Sequence, residues 1–339
     1  MKIGNCDLDK KIFIIAEAGV NHEGNIENAF RLIDAAAHAE VDCVKFQSYH
    51  TDKLVLRDSK ERYNQRKKFE LNVEQTARLS AYAQNNGLFF LSTALDTQSA
   101  DEIADYVVAF KVSSLDICNY KLMEHLLAKQ KPLIISTGMH NNEEIKDAID
   151  FIVQIRGKEF LESSAVFLHC ISVYPVRDPL HLNLLSIPYL RDLYGVNVGY
   201  SDHSLGPLAC FAAASLGARV IEKHFTIDKN MTGVRDHALS ADKDDMRAIV
   251  DGIRYIEKAL GKPEKLVVEA EQESKKLMKR VFILNEGLSH GAVVEGRFLE
   301  AVISPYDEGI TCENYFRVAG KKLKRDKSPF EPLLWADIE

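Results

Sequence analysis

The chain has 339 residues, 46% of them hydrophobic and 27% charged, with a formal net charge of −7 at pH 7. This composition suits a globular protein with room for one large domain and a small one, and its acidic balance argues against binding along a nucleic-acid backbone. No apolar run reaches the roughly 20 residues of a membrane helix, Met1-Lys2-Ile3-Gly4-Asn5 lacks a signal-peptide core, and the six cysteines show no CxxC or paired spacing; a cytoplasmic protein with reduced thiols is expected.

Taken in order, short β-branched runs alternate with helical patterns. Ile12–Ala16 predicts a buried strand running into Glu17, and Asn25 caps a helix through about His38 with Ala29, Leu32, Ile33 and Ala36 at helical spacing. Asp42–Gln47 is a strand carrying Lys45 and Gln47 at its end. The basic stretch from Thr51 to Phe69 is too long for a simple connector and predicts either a lid or binding loop, or a solvated surface loop. A helix from Asn72 to Asn86 stops at Gly87, and strand Leu88–Leu91 ends in Ser92-Thr93. Helix Thr97–Tyr106 leads to strand Val107–Val112, with Lys111, Ser113 and Ser114 at its end. Helix Asn119–Lys129, strand Pro132–Ile135 ending in Ser136-Thr137-Gly138, and a helix from Asn142 to about Arg156 follow. Strand Ala165–Leu168 runs into His169-Cys170-Ile171-Ser172, and a longer connection reaches Leu184–Leu193. Two strands then end in histidines, Gly199–His203 and Val220–Thr226 with His224, joined by an apolar helix between Leu205 and Gly217. A helix from Ser240 to Leu260 closes the series at Gly261-Lys262-Pro263.

About eight strands alternating with helices predict an α/β fold of the parallel (β/α)8 TIM-barrel type, residues 1–262. Strand after strand is apolar until its C-terminal end and then turns polar: Glu17, Lys45, Ser92, Lys111, Ser136, His169, Ser201, His203, His224. In a barrel these ends converge on the mouth where such folds place their active sites. One or two could be satisfied core residues, but the whole set points to chemistry. Lysines with hydroxyls suit a phosphate or carboxylate, and with no P-loop and no GxGxxG the anion is expected to be a small phosphorylated molecule. Imidazoles from adjacent strand ends, His203 and His224, suit a divalent metal with open positions, which Asp236-His237 could supplement or orient. Glu17 is the acid/base candidate, and its ion pair with Lys45 on the adjacent strand does not exclude that role. Residues 263–279 are charged and predict an exposed helical linker; residues 280–339, with β-like runs Val281–Leu284, Ala292–Val294 and Leu299–Val302 between turns, predict a second small domain too small to bury much core alone.

These residues also carry a resemblance. Glu17-Ala18-Gly19-Val20-Asn21-His22-Glu23-Gly24, Lys45-Phe46-Gln47, Lys111-Val112-Ser113-Ser114, Ser136-Thr137-Gly138-Met139, His169-Cys170 with Tyr174-Pro175, Gly199-Tyr200-Ser201-Asp202-His203 and Glu222-Lys223-His224-Phe225-Thr226 are similar, in order along the barrel, to the sialic acid synthase family, which includes N-acetylneuraminate, legionaminic acid and pseudaminic acid synthases. The C-terminal part, with Gly291 and Pro305 to Ile310, resembles that family's antifreeze-like (SAF) domain more weakly. The resemblance implies condensation of phosphoenolpyruvate with the open-chain aldehyde of a six-carbon amino sugar, giving a nine-carbon 2-keto-3-deoxy acid and phosphate. It implies a divalent metal, manganese or magnesium, on His203 and His224. It implies phosphoenolpyruvate held by Lys45, Thr93, Lys111, Ser114, Ser136, Ser172 and Ser201, and a sugar contacted by Asn21, Gln47, Asp116, Tyr174 and Asp236. Glu17 would handle a proton near the new hydroxyl, and the protein would be a domain-swapped homodimer whose small domain covers the partner's barrel.

Three positions depart from the family pattern: Ser172 stands where Asn is frequent, Asp116 where Glu is usual, and Ser304 where Arg usually precedes the proline. All three fall on the phosphoenolpyruvate or sugar side, so the expectation is that the condensation survives while the acceptor differs from N-acetylmannosamine. Two rival readings are a metal-dependent barrel hydrolase, which would want more ligands at the first strand, and a non-catalytic sugar-binding protein, which would not keep Glu17, Lys45, Lys111, His203 and His224 together.

Overall fold

The structure is a computed structural model describing residues 1–304 and 308–339. The chain forms two compact units, Met1–Gly261 and Lys262–Glu339. The first opens with a two-stranded antiparallel hairpin, β1 (Lys2–Ile3) and β2 (Cys6–Asp7). Then come β3 (Phe13–Gly19), β4 (Cys43–Ser48), β5 (Phe89–Ala94), β6 (Phe110–Val112), β7 (Leu133–Ser136), β8 (Ala165–Cys170), β9 (Asn197–Asp202) and β10 (Val220–His224). These pair in parallel and in chain order, and β10 returns to β3, closing the barrel. Among the described residues, no helix is long and apolar enough to cross a membrane.

Helices α1 (Ile26–His38), α2 (Thr51–Leu54), α3 (Lys60–Phe69), α4 (Val73–Asn85), α5 (Thr97–Ile103), α6 (Tyr120–Ala128), α7 (Asn142–Ser164), α8 (Ser186–Tyr194), α9 (Leu208–Ser215) and α10 (Lys243–Ala259) connect the strands. Most begin where a side chain supplies the acceptor that the first turn lacks: Asn25 takes the amide of Glu27, Asn72 that of Gln75 and Asp242 that of Asp245. The long α7 is interrupted at Gly157, whose φ of 81° belongs to no helix. The core includes the shell between sheet and helices, where Ile14, Val44, Phe90, Phe167 and Ile221 are buried against the helical stripes of Leu32, Leu79, Leu126 and Ile253, while Phe13 and Ile134 are buried on the inward face of the barrel.

The stretch from Thr51 to Phe69 is not a loop. It folds as α2 and α3, held by a satellite cluster of Val20, Tyr49, Phe69 and Val234. The Tyr49 hydroxyl donates to the Arg66 carbonyl at 2.9 Å, and the Thr51 amide and hydroxyl donate to Glu70 at 2.9 and 2.6 Å.

One buried ion pair braces the outer wall of the mouth. Lys223 Nζ lies 2.6 Å from Asp202, both side chains at most 2% exposed, and Asp202 also accepts from the Tyr200 hydroxyl at 3.0 Å and the Ser204 amide at 2.8 Å. Asp202→Ala leaves a buried ammonium without its counter-charge and is expected to destabilise the barrel by about 3–5 kcal/mol, measured by denaturant unfolding; a loss under about 1 kcal/mol, the scale of a surface pair, would show that the pair contributes little.

In the second unit β11 (Arg280–Leu284) pairs antiparallel with β12 (Leu299–Ile303) over a small core of Phe282, Leu284, Val294, Ile310, Val318, Leu323, Leu333 and Ile338. Residues 292–294 contribute a single bridge, Val293 to Lys322, rather than a strand. Asp337, fully buried, ties the C-terminal turns by accepting from Lys327 at 2.9 Å, Arg325 at 2.6 Å and the Leu334 amide at 2.9 Å. The preceding segment holds a 3-10 turn, Glu269–Glu271, and a short helix, α11 (Gln272–Leu277). Pro305, Tyr306 and Asp307 lie outside the described residues; Ser304 is buried.

Candidate active site at the barrel mouth

Strand register decides which side chains meet. Laterally paired residues face the same side of a sheet, and side chains two apart on one strand share a face. Glu17 pairs with Lys45 and with His224. Gln47 pairs with Thr93, and Thr93 with Lys111. Cys170 pairs with Ser201, and Ser201 with Glu222. A polar ring therefore circles the C-terminal end of the barrel. It floors a cavity of about 660 Å³ lined by Glu17, Lys45, Gln47, Thr93, Lys111, Ser114, Ser136, Cys170, Ser172, Tyr174, Ser201, His203, Glu222, His224 and Asp236, with Arg62, Arg66 and Arg235 at its rim. A larger cavity of about 780 Å³ beside α7 and α8 holds no lysine or carboxylate.

Four ionisable side chains, Glu17, Lys45, Lys111 and Glu222, are buried at the floor. Lys45 Nζ is 2.7 Å from Glu17 and 3.5 Å from Glu222, and donates to Thr93 Oγ1 at 3.1 Å. Ser201 donates to Glu222 at 3.0 Å. Burial and the neighbouring Glu222 push the Glu17 carboxyl up to about 7 against the pull of Lys45. Glu222 is also penalised by burial, but Lys111, Lys45 and the Ser201 hydroxyl outweigh this and hold it below the usual carboxylate range. Lys111 differs from Lys45: it donates to Ser136 Oγ at 2.6 Å and the Val112 carbonyl at 2.9 Å, and among the described residues no carboxylate comes within ion-pair distance of it. A buried ammonium with no carboxylate in ion-pair reach, bonded to a hydroxyl at the edge of a cavity, is a candidate anion site.

Gly138 shapes the same corner. Its amide donates to Ser114 Oγ at 3.0 Å, and a Cβ there would meet Ser172 Oγ at 2.3 Å and Ser114 Oγ at 2.9 Å.

Above the floor the His203 and His224 rings lie 5.2 Å apart, and Tyr174 stacks 4.1 Å from His203. His203 Nδ1 faces the Ile171 carbonyl at 2.8 Å. A carbonyl can only accept, so Nδ1 carries the proton and Nε2 keeps its lone pair. Burial and the neighbouring His203 hold His224 well below its usual pKa, so its ring is neutral, and among the described residues no hydrogen bond ties it. Burial lowers the His203 pKa, but the Cys170 thiol and the Ile171 carbonyl beside Nδ1 outweigh it and raise it; with His203 in its singly protonated form, the two rings present open nitrogens that fit a divalent metal. Among the described residues, no three His, Cys, Asp or Glu side chains assemble into a metal-binding group, so such an ion would keep positions for water or substrate.

Several predicted residues stand elsewhere. Asn21 is buried behind the mouth, donating to the Phe225 carbonyl at 2.8 Å and Ser240 Oγ at 3.1 Å, and does not line the cavity. Asp116 accepts from Ser113 at 2.6 Å and Asn119 at 3.2 Å, closing its own loop rather than facing the cavity. Ser92 bonds Ser48 at 2.7 Å, and His169 bonds the Leu182 carbonyl at 2.7 Å and lines the larger cavity; each sits one residue out of phase with the inward face. His237 is enclosed between Thr226 and Glu23 at 2.7 and 3.2 Å, away from the paired imidazoles. Glu222 had no predicted role, although its place two residues before His224 carries it to the same face. Arg235 was missed because it lies in a 3-10 turn, Arg235–Leu239, with no periodicity to read.

A parallel barrel with acid, anion-binding and imidazole groups converged at its C-terminal mouth is the architecture of a barrel enzyme. The chain belongs to the NeuB family, whose profile matches residues 32–265. It is 37% identical to N,N'-diacetyllegionaminic acid synthase of Legionella pneumophila, over 96% of this chain and 94% of that one. It is 32% identical to pseudaminic acid synthase of Campylobacter jejuni, over the full length of both. Among solved structures, the N-acetylneuraminic acid synthetase of Leptospira borgpetersenii in complex with citrate superimposes with a TM-score of 0.75 at 32% identity, covering 81% of this chain and 94% of that one.

Proposed function

We propose that this enzyme condenses phosphoenolpyruvate with the open-chain aldehyde of an amino sugar, giving a nine-carbon 2-keto-3-deoxy sugar acid and phosphate. The observation that carries the reading is Lys111: a buried cation without a carboxylate partner among the described residues, bonded to Ser136 and paired in register with Thr93, which Lys45 also contacts. In this reading Lys111, Ser114, Ser136 and Ser172 hold the phosphate, while Lys45, Thr93 and Ser201 hold the carboxylate. Gln47, Tyr174 and Asp236 contact the sugar. His203 and His224 would hold manganese or magnesium, which when bound supplies Lewis-acid polarisation of the aldehyde oxygen.

The methylene carbon of phosphoenolpyruvate bonds to the aldehyde carbon. Glu17, kept protonated near neutrality by its burial, gives its proton to the oxygen that becomes the new hydroxyl. The positive carbon left at C2 takes a water, and the Glu17 carboxylate accepts the proton that this water loses. Breaking the C2–O bond then expels phosphate, which takes the proton of the C2 hydroxyl as that hydroxyl becomes the ketone, with Glu17 protonated as it began. The small second unit, read as an antiparallel-paired SAF-like domain, would cover the mouth of a partner subunit in a cytoplasmic homodimer.

Gly138→Ala is expected to lower kcat/KM for phosphoenolpyruvate by about 10–100-fold, because the new methyl displaces both Ser114 and Ser172, with unfolding unchanged; wild-type kinetics would remove these hydroxyls from the phosphate site. The reading itself is tested by phosphate release: it requires phosphoenolpyruvate, an aldose and a divalent metal together, and release without an aldose contradicts it.

A further inference from the structure

The rim of the mouth carries a second concentration of positive charge that phosphoenolpyruvate does not use. Arg62 and Arg66 lie four apart on α3 and so share one face, and both line the cavity together with Arg235. Of the basic residues of the same segment that face elsewhere, Arg57 pairs with Asp52 at 2.7 Å and Lys67 with Glu70 at 2.7 Å, and Lys53 donates to Gln98 at 2.8 Å, whereas Lys60 and Lys68 do not line the cavity and make no ion pair among the described residues. Among the described residues none of the three at the rim makes an ion pair; Arg66 reaches only Gln47 Oε1 at 3.4 Å and the Tyr49 ring at 5.9 Å, and Arg235 lies 5.9 Å from the Tyr174 ring. Asp236 is, among the described residues, the one carboxylate lining this upper part of the cavity, so an excess of positive charge sits at the rim in a chain whose net charge is −7.

We infer that Arg62, Arg66 and Arg235 form an anion subsite for the far end of the acceptor, and that the acceptor is a sugar phosphate whose phosphoryl group lies distal to the aldehyde. Guanidinium forks match phosphate oxygens in geometry as well as charge. The subsite rests on the synthase reading for its substrate but not for its ligand chemistry.

Two measurements test it. In steady state, N-acetylmannosamine 6-phosphate is expected to show a kcat/KM about 30-fold or more above that of N-acetylmannosamine, and Arg62→Ala/Arg66→Ala brings the ratio close to one. In calorimetry with phosphoenolpyruvate present and metal chelated, so that the floor is filled and turnover blocked, the sugar phosphate binds more tightly than the sugar, and the double variant loses the difference. Equal use and equal binding of the two sugars overturn the inference. So does a ratio untouched in the double variant while self-association weakens, which would assign the arginines to a second copy of the chain. If no aldose of either kind supports phosphate release, the synthase reading fails, and the calorimetric comparison still decides the subsite.

Discussion

Glu17→Gln is expected to lower kcat by about 10²–10⁴-fold while KM for phosphoenolpyruvate stays within a few-fold and the unfolding transition is unchanged. The amide keeps the side-chain volume and can still accept from Lys45, which lies 2.7 Å away in the native pair, but it cannot give a proton to the forming hydroxyl or take one from water. The pH profile makes the prediction specific. Burial raises the Glu17 carboxyl to about 7, so the protonated, donating form is lost as pH rises through that value, and kcat/KM should fall about tenfold per unit on the alkaline side. The variant should lack that limb. A Glu17→Gln variant with native turnover, or one retaining the limb, would remove Glu17 from proton transfer.

His224→Ala and His203→Ala are each expected to reduce turnover by about 10³-fold or more, and to abolish metal binding measured directly by calorimetry with manganese. Each change deletes half of the proposed donor set, and no third His, Cys, Asp or Glu is placed among the described residues to compensate. The two should differ in detail. His203 is fixed by its bond to the Ile171 carbonyl at 2.8 Å, so His203→Asn can keep an oriented polar group and lose less affinity than His203→Ala. His224 has no such anchor among the described residues, and His224→Asn should match His224→Ala. Retained manganese binding in both alanine variants would show that the imidazoles are not its ligands.

Most of the barrel was legible because its strands are short β-branched runs that end in polar residues, and register then follows from closure. The pairing of His203 with His224 and of Glu17 with Lys45 could be anticipated from matched strand ends alone. What resisted reading has physical causes. The α3 segment Lys60–Phe69 has no apolar stripe and a single buried residue, Phe69, so no helical period appears in it. It is held by Tyr49 and Glu70, which lie outside it. Ser92 and His169 were misplaced because strand-end polarity says nothing of phase: Thr93 and Cys170, one residue on, occupy the inward positions. Asn21 was placed on the sugar by the family resemblance alone, yet its amide closes the turn onto Phe225 and Ser240. Glu222 follows only two apolar residues, Val220 and Ile221, and received no role, although two-residue periodicity from His224 points to it.

The most direct measurement of the central claim uses phosphoenolpyruvate labelled with oxygen-18 at the bridging position between C2 and phosphorus, incubated with the enzyme, a divalent metal and the acceptor sugar. Condensation through C2–O cleavage predicts that the label leaves with phosphate and that the organic product has three more carbons than the sugar. Label found in pyruvate, formed with or without the sugar, would mean water attacks phosphorus and would contradict the account.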